Sequence, residues 1–175
     1  NVAVGKDCML TNTTGTGNIA IGGFCLKLNT TADNNVAVGR SSMNVNTTGA
    51  NNVAVGASSL DANTTASNNT AIGSSALSAN TTGTNTAVGS IALDANTTGT
   101  ANSAFGRDAL GANTTGGSNV AVGQSSLANN TTASNNVAVG NSALLSNTTG
   151  ASNVAVGTNA LDANTTASNN TAVGF

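Results

Sequence analysis

Residues 119–135 read NVAVGQSSLANNTTASN, and residues 136–152 read NVAVGNSALLSNTTGAS. The two stretches agree at an opening N-x-A-x-G block, at the leucine four residues after its glycine, and at an NTT triplet. Self-similarity at a short fixed period is the signature of a repeat architecture. The pattern therefore indicates one stacked structural unit rather than a conventional globular core.

The N-x-A-x-G block recurs along the whole chain, and every step between its glycines is 17 residues except for one step of 16, from Gly73 to Gly89. The missing residue falls in the variable stretch after NTTG, and such a length change marks a loop. We predict that residues 1–175 form one continuous array of ten coils and belong to a longer fibre. The block's glycines are Gly5, Gly22, Gly39, Gly56, Gly73, Gly89, Gly106, Gly123, Gly140, Gly157 and Gly174.

The VAVG part of each unit alternates with period two and is rich in β-branched residues, which is typical of a short strand ended by a glycine turn. No segment has the apolar spacing and the length of a helix. A coil of 17 residues traces roughly 56 Å of chain, and coils stacked about 4.8 Å apart can pair their strands. The sequence thus predicts an all-β, single-stack β-solenoid, a parallel β-roll or β-helix.

Equivalent positions of stacked coils form columns, and two of these columns are predicted to build the core. The fourth residue after each glycine is always large and apolar, and the third is always small. The large column consists of Met9, Leu26, Met43, Leu60, Leu77, Leu93, Leu110, Leu127, Leu144 and Leu161.

Within the strand, the invariant alanine points to the opposite side from its two neighbours. We assign the following valine column, such as Val122 and Val139, to the core, so that the alanines point outward as a candidate contact between chains. The alternative is a narrow interior that holds alanine, with valine outside. The alanines are Ala3, Ala20, Ala37, Ala54, Ala71, Ala87, Ala104, Ala121, Ala138, Ala155 and Ala172.

Each NTT triplet supports two interpretations. Its asparagines could stack as a hydrogen-bonded ladder, as amides do in other cross-β arrays. Each triplet is also an N-x-T sequon, so the same asparagines are candidate acceptors for N-linked glycans in a secreted protein. The candidates are Asn12, Asn29, Asn46, Asn63, Asn80, Asn96, Asn113, Asn130, Asn147 and Asn164.

Cys8 and Cys25 occupy the same small slot in neighbouring coils. A coil spacing of about 4.8 Å lies within the Cα separation that a disulfide accepts. They form a candidate disulfide between the first two coils, or two thiols that fill a slot used elsewhere by Ser and Ala.

The composition offers little for catalysis. The chain has no histidine, so it lacks an imidazole base and a usual zinc site, and its six acidic residues are scattered. We therefore expect no enzyme activity, no metal and no cofactor. Four basic residues and 2% aromatic content do not make a nucleic-acid surface, and no apolar run reaches the roughly 20 residues of a membrane span.

The blocks NVAVG, NIAIG and NTAIG, followed by a small residue and an apolar one, resemble the N-S-V-A-I-G head repeat of YadA-like trimeric autotransporter adhesins. That resemblance covers all ten copies and implies a left-handed parallel β-roll that trimerises at a cell surface. The unit of 17 residues is longer than the family's usual one, and NTT is not part of its motif. The NTTG repeats are also similar to those of phage and virus tail fibres.

Three functional hypotheses follow. The first is an extracellular or cell-surface structural filament that self-associates, with covalent glycans on the NTT motifs as one version. The second is the shaft of a trimeric adhesin or tail fibre. The third is an ice- or carbohydrate-binding face, which requires a flat, exposed surface of Thr or Asn and, for ice, paired ranks of outward Thr.

Overall fold

The computed structural model describes residues 1–175 as one parallel sheet of eleven three-residue strands that follow one another in chain order. No helix is long and apolar enough to cross a membrane. Neighbouring strands pair in register, so that Ala104 lies beside Ala121 and Phe105 beside Val122. The strands are β1 (Val2–Val4), β2 (Ile19–Ile21), β3 (Val36–Val38), β4 (Val53–Val55), β5 (Thr70–Ile72), β6 (Thr86–Val88), β7 (Ser103–Phe105), β8 (Val120–Val122), β9 (Val137–Val139), β10 (Val154–Val156) and β11 (Thr171–Val173).

This arrangement confirms the predicted all-β solenoid of about ten turns. Each coil is numbered here by the strand that begins it, so that coil 4 spans 53–69, coil 5 spans 70–85 and coil 6 spans 86–102. Coil 5 is the short one. Because a strand contributes only three residues, most backbone hydrogen bonds lie in the turns: 93 of the 113 fall outside the sheet.

The predicted leucine column lies in the core. Its side chains are fully buried from Leu26 to Leu144 and form one cluster along the axis with the small slot beside them. A buried leucine is worth about 1.5–3 kcal/mol relative to an exposed one. In a single coil that side chain would be exposed to solvent above and below, so the core forms only when coils stack.

The burial of the alanine column contradicts our expectation that these alanines point outward. Ala20, Ala37, Ala54, Ala71, Ala87, Ala104, Ala121, Ala138 and Ala155 are fully buried, and only Ala3 and Ala172, in the end strands, are not. The residues on both sides of each alanine point outward, so the assignment of the following valine column to the core is wrong. The interior is narrow and already holds the leucines, so the strand can contribute only a methyl group. These alanines cannot form a contact between chains.

The turn after each strand has an unusual backbone. Its glycine has a positive φ, as at Gly106 (φ 136°), where a Cβ would lie 2.5 Å from the carbonyl oxygen of Gly123 in the next coil. The core leucine four residues later is also left-handed, as at Leu110 (φ 55°). A left-handed conformation costs a non-glycine residue roughly 1–2 kcal/mol. Burial of the leucine offsets that cost.

We expect Ala121→Val to destabilise the chain by about 1–3 kcal/mol, because the closed interior has no room for two further methyl groups. Val122→Ala, on the outer face of the same strand, should cost less than Ala121→Val. Urea unfolding followed by circular dichroism measures both variants. A larger loss for Val122→Ala would contradict the inward alanine column.

Candidate functional site

The asparagines of the NTT triplets form a ladder along the rod. From Asn29 onward, every Nδ2 except that of Asn80 donates to the Oδ1 of the equivalent asparagine one coil earlier, as Asn113 does to Asn96 at 2.8 Å. The same Nδ2 also donates within its own turn, for Asn113 to the Gly116 carbonyl oxygen at 3.0 Å. From Asn29 to Asn147 these side chains are fully buried. The ladder therefore satisfies polar groups that would otherwise destabilise a buried turn.

A second ladder uses the asparagines that precede each strand. The backbone N–H of Asn119 donates to the Oδ1 of Asn102 at 3.0 Å, and the Nδ2 of Asn119 donates to the Ala133 carbonyl oxygen at 2.9 Å. The backbone-to-Oδ1 bond repeats at every coil. Its members are Asn1, Asn18, Asn35, Asn52, Asn69, Asn85, Asn102, Asn119, Asn136, Asn153 and Asn170.

The ladder geometry limits which sequons are available. In the folded rod the Nδ2 atoms of the buried asparagines face the interior, so a glycan there would displace the rungs and the next coil. Only Asn12 and Asn164, in the first and last coils, are partly exposed. An N-glycan on an inner coil would have to be attached before the coils stack.

The two threonines of each triplet have different environments. In eight of the ten triplets the first donates its Oγ1 to the backbone of the next coil, as Thr114 does to the Thr131 carbonyl oxygen at 3.0 Å. The second, such as Thr115, is exposed in all ten copies, and its hydroxyl has no hydrogen-bond partner in the protein. The second threonines form a single rank, and so lack the paired ranks that an ice-binding face requires.

The outer face of the sheet carries two ranks of mostly apolar side chains, here called the apolar strip. No member is charged, and several large side chains are substantially exposed, including Phe105 at 42%. Eleven strands make the strip about 48 Å long. Its members are Val2, Val4, Ile19, Ile21, Val36, Val38, Val53, Val55, Thr70, Ile72, Thr86, Val88, Ser103, Phe105, Val120, Val122, Val137, Val139, Val154, Val156, Thr171 and Val173.

Cys8 and Cys25 lie in equivalent positions of the first two coils as free thiols. The Sγ of Cys8 donates to the Gly22 carbonyl oxygen, and that of Cys25 to the Gly39 carbonyl oxygen at 2.6 Å. Burial, and then the neighbouring Cys8, raises the pKa of the Cys25 thiol. The thiols occupy the small slot, and the disulfide stays a prediction.

Two carboxyl groups have perturbed titration. Burial raises the pKa of Asp61, whose Oδ1 is buried without a hydrogen-bond partner. Burial, followed by the charge of Asp108, raises the pKa of Asp94. The structure brings no three His, Cys, Asp or Glu side chains together, and its surface has no pocket. The raised pKa values of Asp61 and Asp94 make the stability of the rod depend on pH.

Comparison of the chain with protein-family models, with curated proteins and with solved structures finds no match in any of the three. The surface features above must therefore support any functional proposal by themselves.

Sequence reasoning identified the ladder positions but missed the apolar strip, because it placed half of the strip in the core. A signal was present in the sequence. The alanine slot never varies, whereas the neighbouring slots admit Thr86, Ser103 and Phe105. Such variation in size and polarity is typical of a column that points outward. An invariant small residue is typical of a column that points into a closed interior.

We expect Asn113→Ala to lower the free energy of unfolding by about 1–3 kcal/mol, because Asn96 Oδ1 loses its rung donor and stays buried. Thr115→Ala is the matched control in the same triplet and should change stability by less than about 0.5 kcal/mol. Urea titration of both variants measures the difference. Equal effects would show that the rung contributes nothing.

We expect Asp61→Asn to raise the urea midpoint at pH 7. A raised carboxyl pKa means that the folded state holds the proton more tightly, so stability falls as pH rises through the titration of Asp61. The variant has no proton to lose, and its advantage should vanish near pH 3, below the ordinary aspartate pKa of about 3.9. The control is Asp162→Asn, at the same slot in the exposed last coil. An advantage independent of pH would refute this origin.

Proposed function

We propose that this chain is a non-catalytic structural rod, a segment of a fibre at the cell surface or outside the cell. The observation that carries the proposal is the continuous stack: coils repeat in register along the whole chain, and the ladders use buried polar groups to hold neighbouring coils together. The absence of a pocket accords with a mechanical role. Stacked turns make a thin, stiff object of regular length per residue.

The rods associate side by side through the apolar strip. Exposed apolar patches of several hundred Å² mark interaction surfaces, and a strip about 48 Å long and two ranks wide is of that order. The occupant is a second copy of the chain, because its side-chain ranks recur with the same coil spacing. A partner with any other period would lose register within a few coils. Two or three rods can bury their strips in this way.

A homotrimeric shaft of an adhesin or a tail fibre is the more specific form of this proposal. The repeat resemblance supports it, and the strip supplies the apolar face that a trimer axis needs. Specific attachment would then belong to segments other than this array. The buried ladder favours a rod whose inner coils carry no N-glycans.

Size-exclusion chromatography with light scattering tests the association. We expect the chain to run as a dimer or a trimer, and the double variant Val122→Lys and Val139→Lys to run as a monomer, because desolvating two ammonium groups opposes contact. The matched control, Thr132→Lys and Thr149→Lys, places the same charges on the exposed threonine rank of the same two coils. A monomeric parent chain, or dissociation by both double variants, would remove the strip as the interface.

A further inference from the structure

Coil 5 differs from its neighbour by one residue. Residues 80–85 read NTTGTN, and the equivalent residues 96–102 of coil 6 read NTTGTAN. The residue that coil 5 lacks corresponds to Ala101, which has a left-handed backbone (φ 60°) and donates its N–H to the Thr84 carbonyl oxygen at 2.8 Å. Coil 5 must therefore reach its next strand through a tighter loop.

The NTT ladder is broken at this coil and nowhere else. The rungs join Asn29, Asn46 and Asn63 to their predecessors, and they resume from Asn96 onward. The rung between Asn80 and Asn63 is absent. Asn63 Oδ1 and Asn80 Nδ2 are both buried without any hydrogen-bond partner. A buried donor and a buried acceptor thus stand unpaired in adjacent coils.

In the tight loop of coil 5, the Gly83 carbonyl oxygen does not accept the asparagine hydrogen bonds that its equivalent in coil 6 accepts. In coil 6 the Gly99 carbonyl oxygen accepts from two asparagines, Asn85 and Asn96. The equivalent Gly83 has a positive φ of 94° and accepts from neither of its two corresponding asparagines. Asn69 turns instead to the Ser67 carbonyl oxygen at 3.3 Å.

Thr64, the first threonine of the triplet in coil 4, lacks the two hydrogen bonds that its equivalent in coil 5 makes to the next coil. In coil 5, Thr81 donates both its backbone N–H and its Oγ1 to the Thr97 carbonyl oxygen, at 3.0 and 2.9 Å. Thr64 in coil 4 makes neither bond to Thr81. The corner between coils 4 and 5 therefore lacks the rung, the turn bonds to Gly83 and both threonine bonds, although the strands β4 and β5 still pair in register.

We infer that the contact between coils 4 and 5 is a built-in point of opening, at which the rod separates into a block of coils 1–4 and a block of coils 5–10. The stability of a repeat array is approximately a sum of repeat and nearest-neighbour terms, so the weakest contact decides where the stack parts. Each buried unpaired polar group weakens its contact further. This opening is a property of a single rod and does not depend on side-by-side association.

The apolar strip is least apolar over coils 5 to 7, directly after this contact. Its first rank changes from valine to Thr70, Thr86 and Ser103 over the three strands that begin at coil 5. Burial of these smaller polar side chains against a second rod would contribute less than burial of valine. Side-by-side association thus reinforces the contacts of coils 4 to 7 less than the contacts between two valine-bearing strands.

Amide hydrogen exchange tests the inference with two matched reporters. The Gly73 N–H donates to the Val55 carbonyl oxygen across the contact of coils 4 and 5, and the Gly89 N–H donates to the Ile72 carbonyl oxygen across the contact of coils 5 and 6, both at 2.7 Å. Both glycines follow a β-branched residue and lie near the middle of the rod. We expect Gly73 to exchange at least about tenfold faster than Gly89, a ratio equivalent to about 1.4 kcal/mol. Equal protection in the parent chain would overturn the inference.

Two length variants move the weak contact. Insertion of one alanine between Thr84 and Asn85 makes the corner of coil 5 identical to that of coil 6, and should slow Gly73 exchange to the rate of Gly89. Adding deletion of Ala101 restores the chain length and should make Gly89 the faster of the two. If Gly73 stays faster in both variants, the missing residue is not the cause, and the inference fails. The parent-chain comparison remains decisive should a variant not fold.

Discussion

In-register stacking of equivalent positions is the constraint on which the rest of this structure depends. Each coil finds its hydrogen-bond partners in its neighbours, so an asparagine meets an asparagine and a leucine meets a leucine. The backbone bonds of the short strands hold the coils together, and the side-chain amides close the turns. A sequence that obeys this constraint must be periodic, and its buried columns contain no charged or aromatic side chain.

Much of the fold could be predicted because periodicity is visible in a single sequence. The leucine column, the glycine turns and the strand positions all follow from the repeat. The direction of the strand side chains could not be derived from alternation, since a period of two does not say which face is inside. Hydrophobicity favoured Val122 over Ala121 for the core, but the available volume decides the matter once Leu127 fills the interior. The better guide was tolerance to substitution within the repeat.

The backbone of the turns was beyond sequence reasoning for a different reason. Leucine rarely adopts a left-handed conformation, so nothing in its propensity predicts the positive φ of Leu110. The conformation arises because the chain must turn and still place a large side chain on the axis. The broken rung had a visible signal in the 16-residue step, but its effect on Asn63 and Asn80 required the geometry of both coils.

The identity of contacts from coil to coil also governs how such a protein can change over evolutionary time. Duplication or loss of a complete 17-residue unit gives every remaining coil the same kind of neighbour as before, and alters the rod by about 4.8 Å. Loss of one residue disturbs amides in two coils. Length in this architecture is therefore quantised: recombination between repeats can lengthen or shorten the molecule in whole steps, while small insertions and deletions are confined to the loop that follows the triplet.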